Sequence, residues 1–195
     1  MNILLLSGSP SNPSRSTRLL HHVGDRLNEL GYRTARVQAR DLPAQALLHA
    51  DFNNDELRAA KALVAQADAV VVSTPVYKAA YSGVLKTFLD ILPQDGLSGK
   101  LVLPLATGGS QSHMLALDYA LRPVLASLAA KHILPSIYAT DAQIEWSEEY
   151  GLNIDTTIAQ RITEGISHLT HSLIALRNQG NNFDAVQFTQ LRCSA

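Results

Sequence analysis

Hydroxyl side chains crowd one short stretch of the 195-residue chain: Ser7, Ser9, Ser11, Ser14, Ser16 and Thr17 all fall within SGSPSNPSRST. An apolar run, Ile3 to Leu6, precedes the stretch and a helix-like pattern follows it, so a buried strand delivers a loop to a helix start. Such a junction gathers unpaired backbone N–H groups and the positive end of a helix dipole at one place, and phosphate is its usual occupant. A dinucleotide loop would read GxGxxG, its second glycine admitting a pyrophosphate to the backbone. Here one glycine, Gly8, and two prolines suit a single terminal phosphate better. The same residue types also serve plain turns and caps, so the loop alone leaves both readings open.

Two more stretches carry unusual chemistry. In TPVYKAAYSG, Thr74 to Gly83, the side chains of Pro75, Val76, Tyr77 and Tyr81 offer apolar and aromatic surface to a planar ring. The alternative is a strand end followed by a helix that Ser82 caps. In TGGSQSH, Thr107 to His113, Gly108 and Gly109 let backbone N–H groups approach a ligand closely. A flexible strand-to-helix turn would need the same residues.

The elements that must position these loops follow from periodicity. Leu20, Val23, Leu27 and Leu30, with Gly31 beyond them, predict a first helix and its C-terminal stop. Tyr32 to Val37 is a weaker strand, placed towards a sheet edge by Arg33 and Arg36. Asp41 to Asn54 reads as a loop with a short helical turn. Asn53 and Glu56 form a capping-box pattern ahead of a helix with Leu57, Ala60, Leu63 and Val64 on one face. Ala69 to Ser73 is a strand buried on both faces and ended by Pro75. A helix over Val84 to Leu92, a strand over Leu101 to Ala106, a long helix from Met114 through Leu128 and a strand over His132 to Tyr138 come next. Ile158, Ile162, Ile166, Leu169, Leu173 and Leu176 mark a last amphipathic helix. This alternation predicts one doubly wound α/β domain over residues 1–180, with five parallel strands in the order 2-1-3-4-5, helices on both faces, and a tail at 181–195.

Composition narrows the partners. A net charge of -1 provides no basic field for nucleic acid and no acidic field for a charge-steered carrier. The single cysteine, Cys193, cannot form an internal disulfide or a metal cluster. The N-terminal apolar run is too short for a membrane span and lacks the basic flank of a signal peptide, so a cytoplasmic protein is expected.

Ligands of doubly wound sheets sit beyond the carboxyl ends of the strands, at the switch point between strands 1 and 3. All three loops end there, and each suits one part of flavin mononucleotide (FMN): the first its phosphate, the second the face of its ring, the third its pyrimidine edge. When a nicotinamide gives hydride to the flavin, charge tends to develop at that edge, where backbone donors stabilise it and no side-chain acid or base is required.

The combination of GSPSNPSRS, TPVYKAAYSG and ATGGSQSHMLALDYALRPVL resembles the NAD(P)H-dependent FMN reductases of the flavodoxin-like superfamily, over most of the chain up to about Ala139. More narrowly it is similar to the reductase component of two-component alkanesulfonate monooxygenase systems, which share Val76 and Lys78 where many relatives have an acidic residue and an asparagine. Ser11 stands where the family commonly has an arginine, and Arg15 or Arg18 is the candidate to replace that charge. The resemblance implies phosphate contacts at Ser9, Ser14 and Ser16, flavin contacts at Pro75, Val76, Tyr77 and Lys78, and pyrimidine-edge contacts at Thr107, Gly108, Gly109 and Ser110. It also implies FMN with NADPH or NADH as cofactors, a flavin-dependent monooxygenase as partner, and a homodimer or homotetramer.

Pro123 lies inside the long fourth helix and removes the normal partner of the Tyr119 carbonyl, which predicts a kink or bulge. In the sulfonate-linked branch a tyrosine there is associated with a π-type insertion at a subunit interface, so Tyr119 is a candidate for easing flavin release. The histidines read as surface residues, with His113 alone near a candidate loop. Trp146, among Glu145, Glu148 and Glu149, belongs to a polar segment that could form a lid or a subunit contact. The leading expectation is a reductase that releases reduced FMN. The alternatives are a quinone or azo reductase that retains its flavin, and a flavodoxin-type carrier.

Overall fold

The computed structural model describes residues 1–179, and the tail expected at 181–195 lies outside them. Strand β1 (Asn2–Ser7) is followed by α1 (Arg15–Glu29), β2 (Arg33–Gln38), a short α2 (Ala44–Leu48), α3 (Asp55–Gln66) and β3 (Ala69–Tyr77). Then come β4 (Ala80–Tyr81), α4 (Gly83–Asp90), β5 (Leu101–Gly108), α5 (Arg122–Ser127), β6 (His132–Ile133), β7 (Ile137–Thr140), β8 (Ile144–Ser147), β9 (Gly151–Ile154) and α6 (Thr156–Gln179). Parallel pairing runs β2-β1-β3-β5, with β6 and then β7 on the far side of β5. The expected order therefore stands.

The strand count does not. The main sheet has seven strands where five were expected, because one expected strand is broken and one short strand was not foreseen. His132 to Tyr138 divides into β6 and β7 around Pro135, which has no N–H for a ladder. β3 runs through Pro75 instead of stopping there. β1 pairs with it only as far as Ser73, so Pro75 has a strand on one side only and its missing N–H is tolerated. Beyond it, Val76 and Tyr77 turn back to pair with Tyr81 and Ala80 of β4.

Alternate residues of each central strand supply opposite cores. Ile3 and Leu5 pack towards α1 and α6, beside Leu19, Val23, Ile162 and Leu169. Leu4, Leu6, Val70 and Val72 pack towards the helices of the other face, beside Leu57, Leu85, Phe88 and Leu125. Asn54, one residue after the expected position, caps α3 by accepting from the Glu56 and Leu57 amides.

The long fourth helix is interrupted, and the reason is local. A 3-10 turn at Gln111–His113 comes first, then a π-helical turn at Leu117–Leu121, and only then α5. The Arg122 amide donates to the Leu117 carbonyl five residues back, and the next residue is Pro123, which has no N–H to return the ladder to α spacing. β8 and β9 form an unexpected hairpin whose Ile144 is buried against the α1 and α6 core.

Candidate active site

The first loop is held from both sides. The Gly8 amide donates to the Ser73 carbonyl at 2.7 Å, and the Ser82 hydroxyl donates to the Gly8 carbonyl. Ser82 also caps α4 by accepting from the Leu85 amide at 3.1 Å, so one buried hydroxyl joins the second helix start to the first loop. Gly8 must be glycine, since a Cβ there would lie 2.5 Å from the Leu85 Cβ.

Ser14 is the N-cap of α1, accepting from the Thr17 amide at 3.3 Å. Its hydroxyl lies 3.0 Å from that of Ser16, and Ser7 and Thr17 share a second hydroxyl pair at 2.8 Å. Ser9 accepts from the Ser11 amide at 3.2 Å. The first turn of α1 leaves the Arg15 and Ser16 amides without intrahelical acceptors. Hydroxyls and amide donors thus converge at the dipole's positive end, a donor set that fits a phosphate.

Of the expected contacts, Ser9, Ser14, Pro75, Val76, Tyr77, Thr107, Gly108 and Gly109 line a single cleft of about 180 Å3. Ser16 is fully buried behind Ser14 and reaches the cleft through that hydroxyl. Lys78 is exposed at the tip of the β3–β4 turn, where it and Ala79 have φ of 50° and 61°. Ser110 is exposed and caps the 3-10 turn by accepting from the Ser112 amide.

Several contributors escaped the sequence reading. The Tyr138 hydroxyl donates to the Ser110 carbonyl at 2.6 Å and passes so close to Gly108 that a Cβ there would meet it at 2.5 Å. Burial, with Asp141 adding to it, pushes the Tyr138 phenol up, which keeps it protonated as a donor. Asp141 lines the cleft and lies 3.8 Å from Arg15. Only the strand order brings Tyr138 and Asp141 here, so no local signal could have found them. Arg15 lines the cleft, whereas Arg18 turns away and lies over the Trp146 ring, 3.9 Å from its centroid. Arg15 is therefore the one that stands near the place left by Ser11.

A parallel sheet in the order β2-β1-β3-β5-β6, with a cleft beyond the ends of β1, β3 and β5, is the flavodoxin-like fold. The model of the NADPH-dependent FMN reductase family matches residues 1–145, and the chain belongs to that family. It is 50% identical over 148 residues to an FMN reductase (NADPH) of Pseudomonas putida, a match that covers 76% of this chain and 75% of that one. A second FMN reductase (NADPH), from Escherichia coli, is 47% identical over 144 residues, covering 74% and 75%. Among solved structures, the apo form of an NADH:FMN oxidoreductase (EMOB) superposes with a TM-score of 0.79 at 38% identity, covering 88% of this chain and 89% of that one. The protein is an NAD(P)H:FMN oxidoreductase, as the resemblance of its three loops implies.

Proposed function

We propose that the chain uses NADPH to reduce FMN as an exchangeable substrate and supplies reduced FMN to a flavin-dependent alkanesulfonate monooxygenase in the cytoplasm. The observation that carries the reading is the hydroxyl and amide cradle at the start of α1, opposite the glycine-rich end of β5. NADPH brings the hydride and the FMN ring accepts it. Ser9 and Ser14, with the first-turn amides, bind the phosphate, Ser16 holds the Ser14 hydroxyl from behind, and Arg15 adds its charge. Pro75, Val76 and Tyr77 lie along the ring with Lys78 at its margin, and the backbone of Thr107, Gly108, Gly109 and Ser110 donates to the pyrimidine edge.

One feature supports exchange over retention: the π-turn presents Tyr119 at 79% exposure, with Met114 and Leu115 exposed nearby. Isolated apolar residues are ordinary on a surface, but an aromatic presented by a π-turn next to the third loop suits an interface between copies. In this reading a second copy covers it in a homodimer or homotetramer, and Tyr119→Ala would alter both flavin retention and oligomeric state.

The test is steady-state NADPH oxidation with FMN titrated in, with NADH run in parallel. Saturable dependence on added FMN and a preference for NADPH support the reading. Turnover of a quinone without free FMN would replace it with a retained-flavin reductase.

A further inference from the structure

A groove of about 900 Å3 adjoins the flavin cleft. One wall is the start of α1, with Pro13, Arg15 and Arg18, and the other is the β8–β9 hairpin with Trp146 and Tyr150. Pro13, Arg15 and Asp141 line both spaces, so the groove continues out of the cleft. Most of the hairpin lies beyond residue 145, where the family match ends.

Its lining is aromatic and charged. Trp146 and Tyr150 are 46% and 80% exposed, leaving aromatic surface on which a base can pack. Trp146 is kept in place by Arg18 over its ring and by its pairing with Leu152 of β9, while Ile144 anchors the same strand in the core. Among the described residues Arg18 has no carboxylate within ion-pair distance, and Arg15 has only Asp141, at 3.8 Å. The Arg18 guanidinium is thus open to a phosphate, while Arg15 is shared with the flavin cleft. Asp141 and Glu145 also line the groove. Carboxylates accept from ribose hydroxyls and repel phosphate, so a phosphate is directed to the α1 wall.

Resting on the FMN-reductase reading, we propose that this groove receives the adenosine 2′,5′-bisphosphate half of NADPH, with Arg18 at the 2′-phosphate and Trp146 or Tyr150 against the adenine. A nicotinamide facing a flavin ring in the cleft leaves the other half of its dinucleotide to run outward, and the groove is the adjoining space of sufficient size. Arg18 and the hairpin then set the preference for NADPH over NADH.

The chain has one tryptophan, so its fluorescence reports on this groove directly. Flavin-free protein is titrated with adenosine 2′,5′-bisphosphate, which carries no nicotinamide and cannot react, and separately with adenosine 5′-monophosphate. The expected result is a saturable change with the bisphosphate, at least about tenfold tighter than with the monophosphate. By calorimetry, Arg18→Ala weakens the bisphosphate about tenfold or more, and it raises the KM for NADPH far more than that for NADH. Tyr150→Ala weakens both adenosine ligands. FMN affinity, read from flavin fluorescence, serves as the folding control for each variant. Absence of a saturable change, equal affinity for the two ligands, or an unaltered NADPH KM in Arg18→Ala overturns the proposal. If wild-type protein still oxidises NADPH with FMN in that case, the reductase reading stands and only the groove assignment falls.

Discussion

Gly108→Ala tests how the third loop is shaped, because the obstacle to a side chain there is a single oxygen atom. A Cβ at Gly108 would lie 2.5 Å from the Tyr138 hydroxyl but 3.4 Å from the ring carbon that bears it, which is ordinary contact. Tyr138 is 2% exposed and cannot simply swing away, and any retreat stretches its 2.6 Å bond to the Ser110 carbonyl. Overpacking of this kind costs about 1–3 kcal/mol and the strained hydrogen bond about 1 more, so the single variant should lose roughly 2–4 kcal/mol. Tyr138→Phe alone should cost about 1 kcal/mol, since the exposed Ser110 can turn to water. With the hydroxyl gone the new methyl fits, and the double variant should be little worse than Tyr138→Phe, a coupling of about 2–4 kcal/mol. Urea denaturation of the four proteins measures the cycle, and FMN affinity should track it because the same backbone faces the cleft. Additive losses would show that Tyr138 does not shape this loop.

Ser82→Ala removes an N-cap and the donor to the Gly8 carbonyl together, at a cost of about 1–3 kcal/mol, and it should weaken FMN binding because the first loop loses its tether. Unchanged FMN affinity would separate the two roles. Ala79 adopts the left-handed conformation at φ 61°, so Ala79→Gly should stabilise by about 1 kcal/mol and raise Tm by roughly 2–4 °C in a scanning experiment. A lower Tm would contradict a strained turn. Burial holds the imidazoles of His21 and His22 below their ordinary value of 6.5, with Arg36 adding to the first and Arg26 to the second. The unfolded chain therefore takes up protons that the folded chain resists once pH falls below about 6.5. Their contribution is complete above that pH and is lost as pH falls through the lowered folded values. Tm should drop from pH 7.5 to 5.5, and replacing both with glutamine should flatten the slope.

The central strands were legible because burial on both faces writes β1, β3 and β5 as apolar runs, and the 2-1-3-4-5 order followed from their alternation with helices. The first loop was legible as a strand-to-helix junction because its caps and turns draw on few residue types, and Ser14 supplies the cap. What stayed hidden depends on distant partners or on missing punctuation. The β3–β4 turn places Lys78 and Ala79 at positive φ, where hairpins usually advertise themselves with Asn-Gly, so nothing marked it. The β8–β9 strands alternate apolar and polar residues, Ile144 and Trp146 facing Ile154 and Leu152, but they are short and joined through Glu148, Glu149 and Tyr150, which give no hairpin-turn signature. Pro123 announced a bulge, and the π-turn supplies it. Pro75 announced a strand end and misled, because β1 had already ended alongside.

The central claim is that the hydroxyl and amide cradle of α1 holds the FMN phosphate, and riboflavin offers the same ring without that phosphate. Flavin fluorescence should show FMN binding at least about tenfold tighter than riboflavin, with Ser14→Ala reducing FMN affinity by about tenfold and leaving riboflavin unchanged. Equal affinity for the two flavins, or an equal loss of both in Ser14→Ala, would contradict the account.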